Sequence, residues 1–296
     1  MSPPVTTDPK TIGMLITWAQ RSLETCGSTN VPQEALWLLA HALGMTHHEL
    51  MSRRDQAVSG EERVRVESVI SRRLTREPLQ YILGTQEFCG LEFHVNSAVL
   101  IPRPETELLV QEVLREGGFV EGAVLVDVGT GSGCVAVTLA TILSHARIFA
   151  LDCSGQALAV AQGNARRHGV SDKITWKEGD LLSPLHECHV GGAVDAIISN
   201  PPYIAEEVWT GLQPEVRDFE PRLALVAGQR GTELHERLLH DARPFLVPGG
   251  LLVMELGQGQ APFVQQAAEQ AGGYTGFQTV KDEAGIERVI IVRRTG

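Results

Sequence analysis

The segment Val126-Asp-Val-Gly129-Thr-Gly131-Ser-Gly133 places three glycines at alternate positions directly after an apolar run. Glycine lets a backbone turn sharply and approach a ligand where a side chain would collide. The residues behind it read as a helix, whose first N–H groups have no partner within the helix. Asp152 closes the next apolar run, about twenty residues on, where a carboxylate can accept hydrogen bonds from ribose hydroxyls. Together these features predict a site for a nucleoside-containing cofactor.

The glycine spacing narrows the choice. A dinucleotide fingerprint needs G-x-G-x-x-G or A, and Cys134 stands in the third place here. The observed G-x-G-x-G, preceded by Asp127, resembles motif I of the class I methyltransferases, which bind S-adenosylmethionine.

A second segment, Asn200-Pro-Pro-Tyr203, follows the apolar run 193–199. In an open α/β sheet, ligands bind at the carboxyl ends of strands, so this loop is expected to face the same crevice as the glycines. Two prolines fix the backbone and remove N–H donors. The Asn200 side-chain oxygen and the Pro201 carbonyl are then two acceptors, beside the aromatic ring of Tyr203. That set suits a planar –NH₂ on an sp² carbon. The nitrogen of such a group is a poor nucleophile because its lone pair is delocalised. Accepting both hydrogens turns the lone pair toward a methyl sulfonium and favours the positive charge developing on nitrogen. The N–H is acidic once the methyl has transferred, so no strong base is required. The predicted reaction is methylation of a planar nitrogen.

The remaining elements must position these loops. Ile12, Leu15, Ile16, Ala19 and Leu23 fall at helical spacing with Gly27 placed to end the helix, and Leu36, Leu39, Ala40 and Leu43 repeat the pattern. Ser59 with Glu62 predicts a capping box opening a third helix that carries Val66, Ile70 and Leu74. Three or four short helices would make a small bundle. Arg63, Arg65, Arg72 and Arg73 interleave with acidic residues on the third helix; a solvated charged face is the simpler reading, a docking face for a large partner the alternative. From Tyr81 to Leu100, short apolar runs punctuated by Gly84, Gly90 and Asn96 suggest a hairpin, and residues 105–114 read as helical. Beyond them, runs 124–128, 147–151, 174–178, 193–199 and 251–255 alternate with helical stretches, implying a parallel sheet covered on both faces. Runs 276–280 and 288–292 flank an Asp282–Gly285 turn, an antiparallel ending. The domain boundaries expected are 1–80 for a helical, substrate-docking bundle, 81–104 for a hairpin linker and 105–296 for the α/β domain.

Across 296 residues, 43% hydrophobic and 21% charged is a globular composition. No apolar run approaches the ~18 residues of a membrane span. Pro3, Pro4 and Asp8 stand where a signal peptide would place its basic end and apolar core. The net charge of −11 argues against a surface devoted to nucleic acid, and five scattered cysteines without C-x-x-C spacing read as reduced thiols of a cytoplasmic protein. His186-Glu-Cys188-His189 lacks a second ligand pair, so no metal is expected.

Nearly the whole chain resembles the release factor glutamine methyltransferases. Besides the two loops, Pro78-Leu-Gln-Tyr-Ile82, Leu100-Ile-Pro-Arg-Pro-Glu-Thr-Glu107, Phe219-Glu-Pro221, Gly249–Glu255 with Gln260, and Asp282–Val289 carry the likeness. The resemblance implies an α/β class I methyltransferase, Rossmann-like, with a mostly parallel seven-stranded sheet, a C-terminal antiparallel hairpin and a small N-terminal helical domain. It implies S-adenosyl-L-methionine as cofactor and, as partners, class I peptide release factors, whose Gly-Gly-Gln glutamine becomes N5-methylglutamine. Neither membrane nor stable nucleic-acid binding is implied. On this likeness Gly129, Thr130, Gly131, Ser132 and Gly133 would cradle the methionine part and Asp152 the ribose. Leu181 would border the adenine, where relatives often carry an aromatic ring. Asn200, Pro201, Pro202 and Tyr203 would hold the glutamine, with Asn200, Pro201 and Tyr203 as the catalytic set and Asn200 also touching the cofactor, and Arg103, Glu105 and Thr106 would line the cleft. A second departure from relatives is Ala227-Gly228-Gln-Arg-Gly231, where a paired glycine and an aspartate are more usual.

Three alternatives share parts of this pattern. A ribosomal-protein glutamine methyltransferase would use the same fold and loop. A DNA adenine-N6 methyltransferase would also present a planar –NH₂, but the acidic balance and the small helical domain oppose it. A noncatalytic nucleotide binder or a dehydrogenase is opposed by Cys134 and by the lack of a hydride-transfer acid.

Overall fold

The computed structural model describes residues 10–27 and 30–296. Pro3, Pro4 and Asp8 lie outside the described residues. The chain divides into two compact units, Met1–Gly84 with Gln213–Phe219, and Thr85–Leu212 with Glu220–Gly296.

The first unit is built on α1 (Ile12–Leu23), α2 (Val31–Leu43), α3 (His47–Ser52), α4 (Gly60–Leu74) and α5 (Leu79–Leu83). Leu15, Ala19 and Leu23 of α1 are fully buried, as the spacing predicts. That helix ends at Leu23 with Glu24 at its C-cap, and Gly27, at φ +74°, closes the turn that follows. On α2 the buried stripe is Ala35, Leu38, Leu39 and Ala42, displaced from the expected Leu36, Ala40 and Leu43. This helix is apolar on several faces, so periodicity alone does not say which face turns inward. Thr46 and Glu49 form a capping box on the unpredicted α3, and Ser59 and Glu62 form the predicted one on α4.

One arginine of α4 departs from the solvated-face reading, while Arg65 and Arg72 are exposed as that reading expects. Arg73 is 5% exposed and pairs with Glu34 of α2 and, at 3.2 Å, with Glu215. Arg76 reaches the other Glu215 oxygen at 2.6 Å, and Arg65 Nε donates to the Ala42 carbonyl at 2.9 Å. Glu215 lies on the short helix α9 (Pro214–Arg217), which belongs to this unit although distant in sequence. Arg73 thus holds helices together from a buried position, while Arg65 bonds to α2 from the exposed face.

In the second unit, the hairpin β1 (Thr85–Phe88) and β2 (Leu91–His94) precedes α6 (Pro104–Gly117). Tyr81 is helical, because Gly84 at φ +78° caps α5, and the hairpin begins only after it. There follow β3 (Val124–Val128), α7 (Cys134–Ile142), β4 (Arg147–Asp152), α8 (Gly155–Arg167), β5 (Ile174–Glu178) and β6 (Val194–Ser199). A short parallel pair, β7 (Ile204–Ala205) and β8 (Val226–Gly228), was not legible in the sequence. The unit closes with α10 (Glu233–Ala242), β9 (Leu246–Glu255), α11 (Ala261–Ala271), β10 (Tyr274–Lys281) and β11 (Glu287–Arg294).

Its seven-stranded sheet has the order β10-β11-β9-β6-β3-β4-β5, with β11 antiparallel to both its neighbours and the other pairings parallel. Every residue of β3 is buried: Leu125 joins the core beneath α6, α7 and α8, while Val124, Val126 and Val128 join the core beneath α10 and α11. Burial on both faces is why these strands read as continuous apolar runs. From β3 the chain winds to β4 and β5, then returns to place β6 on the other side of β3. That reversal opens a crevice at the carboxyl ends of β3 and β6. Among the described residues no helix is long and apolar enough to cross a membrane.

Candidate active site

The glycine loop leaves β3 and is held from two sides. Gly129 and Thr130 donate their backbone N–H groups to the Leu151 carbonyl of β4 at 2.8 and 2.9 Å. Gly129, Gly131 and Gly133 have φ of +72°, +55° and +81°, conformations that side chains rarely adopt. Asp127, 2% exposed, accepts from Thr130 Oγ1 at 2.7 Å and from the Ala136 N–H of α7 at 3.1 Å. Burial pushes its carboxyl up to about 7 against the pull of those two bonds. Asp152 accepts from the Gly131 N–H and the Ser154 N–H, both at 2.9 Å. Burial raises its pKa while these backbone donors hold it down. Gly133 caps α7, and a Cβ there would stand 3.0 Å from the Ala161 Cβ of α8.

Asn164 of α8 was not singled out by the sequence. It is fully buried and donates from Nδ2 to the Ser132 carbonyl at 2.8 Å and to the His94 carbonyl at 3.0 Å, while Oδ1 accepts from the His94 N–H at 2.8 Å. It thereby fastens the β1–β2 hairpin to the glycine loop. The available signal was a polar residue on the helix stripe otherwise formed by Ala157, Ala161 and Ala165.

At the end of β6, Ser199 Oγ donates to the Val128 carbonyl at 2.8 Å, tying the two loops at their roots. Asn200 Nδ2 donates to Thr106 Oγ1 at 3.0 Å, and Thr106 Oγ1 donates to Glu255 Oε2 at 2.6 Å. The other Glu255 oxygen accepts from the Tyr203 hydroxyl at 3.4 Å. Glu255 is 1% exposed; burial pushes its carboxyl up to about 7, with Thr106, Tyr203 and Arg288 opposing. Burial, and then Glu255, push the Tyr203 hydroxyl well above its ordinary value. Gln260 secures the loop's far end: Nε2 donates to the Tyr203 carbonyl at 2.9 Å and the Gly231 carbonyl at 3.1 Å, and Oε1 accepts from the Gly257 N–H at 2.9 Å. A Cβ on Gly231 would lie 2.5 Å from the Tyr203 carbonyl oxygen. Glu220, 5% exposed, pairs with Arg103 and accepts from the Ile101 N–H at 3.1 Å.

These loops enclose a cavity of about 360 Å³. Gly129, Thr130, Gly131, Ser132, Asp152, Leu181, Asn200 and Pro202 line it, together with Arg103 and Thr106. Gly133, Pro201 and Tyr203 stand outside its wall: Gly133 packs on Ala161, Pro201 is buried, and the Tyr203 hydroxyl turns to Glu255. Glu105 is also outside, 3.9 Å from Arg288. Leu181 has φ +46°, and its neighbour Asp180 pairs with Arg237 at 2.5 Å.

The five-strand parallel core, the antiparallel pair at one edge and two loops at a topological switch define a methyltransferase. Residues 104–212 match the methyltransferase small domain family, and residues 14–84 match the PrmC N-terminal domain family. The chain is 43% identical over 280 residues to the release factor glutamine methyltransferase of Geobacter sulfurreducens, covering 95% of each. It is 40% identical over 301 residues to that of Nitratidesulfovibrio vulgaris, covering 98% of each. It is also 40% identical over 276 residues to that of Moorella thermoacetica, covering 93% of this chain and 96% of the other. The chain belongs to the release factor glutamine methyltransferase family. Its fold is shared with the hMettl16 catalytic domain, solved in complex with MAT2A 3′UTR hairpin 6, at a TM-score of 0.55 and 18% identity, over 75% of this chain and 81% of that one.

Proposed function

We propose that this protein methylates the side-chain amide nitrogen of the glutamine in the Gly-Gly-Gln motif of class I peptide release factors, using S-adenosyl-L-methionine. The observation carrying this reading is the Asn200 amide, fixed at the mouth of β6 on the wall of the same cavity as the glycine loop. Family membership supplies the substrate class, and the cytoplasm is the corresponding location.

The residues present fit the cofactor. Gly129 and Gly131 line the cavity, and a Cβ on either would meet no protein atom closer than 3.9 Å, so it would fill ligand space. Asp152 spends one lone pair of each oxygen on a backbone N–H, leaving the others for ribose hydroxyls. Thr130 and Ser132 complete the cradle, Gly133 starts the helix behind it, and Leu181 offers an apolar edge to the adenine. When bound, the cofactor supplies an electrophilic methyl on a sulfonium. Asn200 Oδ1 is assigned one substrate N–H and the Pro201 carbonyl the other, although Pro201 itself does not line the cavity, so that the nitrogen lone pair turns toward that methyl. Pro202 and Tyr203 keep the loop rigid, the latter through Glu255. The substrate nitrogen so held would take up the methyl that the bound cofactor supplies and give up its proton to water. The helical unit is assigned to docking the protein substrate.

Mass spectrometry of unmodified release factor incubated with enzyme and cofactor tests this directly, with ribosomal protein and double-stranded DNA in parallel. One added methyl on the Gly-Gly-Gln peptide is expected; a methyl found only on the ribosomal protein or on adenine would replace the substrate. Asp152→Ala is expected to weaken cofactor binding by roughly 10- to 100-fold, the loss of about 1.5–3 kcal/mol in hydrogen bonds to a charged acceptor. Calorimetry giving an unchanged Kd would remove Asp152 from the ribose site.

A further inference from the structure

Thr106 touches both Asn200 and Glu255, and its hydroxyl has one proton. Ionised, Glu255 can only accept, at one oxygen from Tyr203 and at the other from Thr106. With its proton committed to the ionised Glu255 at 2.6 Å, Thr106 Oγ1 can only accept from its remaining neighbour, Asn200, 3.0 Å away. The –NH₂ end of the Asn200 amide must therefore face Thr106, leaving Oδ1 for the cavity. If the amide were turned over, Asn200 would present N–H to a substrate N–H, and two donors would oppose each other.

We propose that Thr106 is a positioning residue, whose hydroxyl, oriented by Glu255, fixes which end of the Asn200 amide meets the substrate. This rests on the reading of Asn200 as the acceptor for the substrate amide. Thr106 itself touches neither the reacting nitrogen nor the methyl. The geometry of the relay is rigid at both ends: Thr106 is 2% and Glu255 1% exposed, and Asn200 follows directly on Ser199, which is anchored to Val128.

Two substitutions separate orientation from packing. Thr106→Val keeps the shape of the side chain and removes the hydroxyl; Thr106→Ser keeps the hydroxyl and removes a methyl. For Thr106→Val, kcat is expected to fall about 10- to 100-fold, the scale of a misplaced catalytic group, while cofactor Kd and release-factor KM stay within about threefold of wild type. Thr106→Ser is expected to retain kcat within about threefold, since it still orients the amide. The Asn200 side-chain amide protons, followed by NMR in the protein without substrate, are expected to exchange slowly in wild type and Thr106→Ser and faster in Thr106→Val. Unchanged exchange in Thr106→Val, or a serine variant as impaired as the valine variant, would overturn the proposal. Wild-type enzyme that left the release factor unmethylated would count against the substrate reading alone, because the exchange rates decide the relay without any substrate.

Discussion

Replacing Asn200 by alanine is expected to lower kcat by roughly 10²–10³-fold, the effect of deleting one preorganised group that acts on developing charge. The argument is geometric. Asn200 Oδ1 is the acceptor that the side chain presents to the cavity once its –NH₂ is committed to Thr106. Alanine leaves the substrate amide with the Pro201 carbonyl alone, free to rotate about one hydrogen bond. Cofactor binding is expected to survive, because the glycine loop is held independently by Asp127, Asp152 and the Leu151 carbonyl. Rapid-quench turnover alongside calorimetric titration of the cofactor separates the two quantities. Wild-type turnover in the alanine variant would remove this side chain from the reaction.

The largest stability effect is expected from Arg73 in the helical unit. Glu34 is 6% exposed and Arg73 5%, so Arg73→Met would leave a carboxylate buried with no countercharge. Breaking a buried pair in this way costs about 3–5 kcal/mol, whereas replacing both partners by apolar side chains is often close to neutral. The double variant Arg73→Met with Glu34→Met is therefore expected to recover most of the loss, with Glu215 still paired to Arg76. Urea unfolding of the three proteins reads this as a shift in midpoint. A single variant as stable as wild type would mean that the pair contributes nothing to this unit.

The two loops and the alternation of strands and helices were legible because they are local. Valine, isoleucine and leucine run unbroken where both faces of a strand are covered, and a glycine triplet or a doubled proline marks its turn without reference to anything else. What escaped depends on partners remote in sequence. Arg73 looks like one more charge on an exposed helix until Glu34, 39 residues earlier, and Glu215, 142 residues later, come beside it. Thr106 reaches Asn200 across 94 residues and Glu255 across 149, so its spacing in the chain says nothing of its role. The short α3 escaped for another reason: His47–Ser52 is too brief and too polar for a periodicity, and only its Thr46–Glu49 capping box betrays it. Among the site residues, proximity in sequence was also no guarantee of a place on the cavity wall. Asn200 and Pro202 line it and Pro201 between them does not, because successive residues of an extended loop point in different directions.

The chain is not divided where its compact units are. Gln213–Phe219 leaves the methyltransferase portion between β7 and β8 to complete the helical unit, then returns as Glu220, the partner of Arg103. A truncation at Gly84, where the N-terminal family match also stops, would cut away the carboxylate that joins Arg73 to Arg76. The excised bundle would leave Arg76 without Glu215 and Arg73 with Glu34 alone, and the remainder would keep a seven-residue excursion without its host. Exchanging this bundle between relatives would therefore require two stretches of gene to be moved together, one of them from inside the catalytic half.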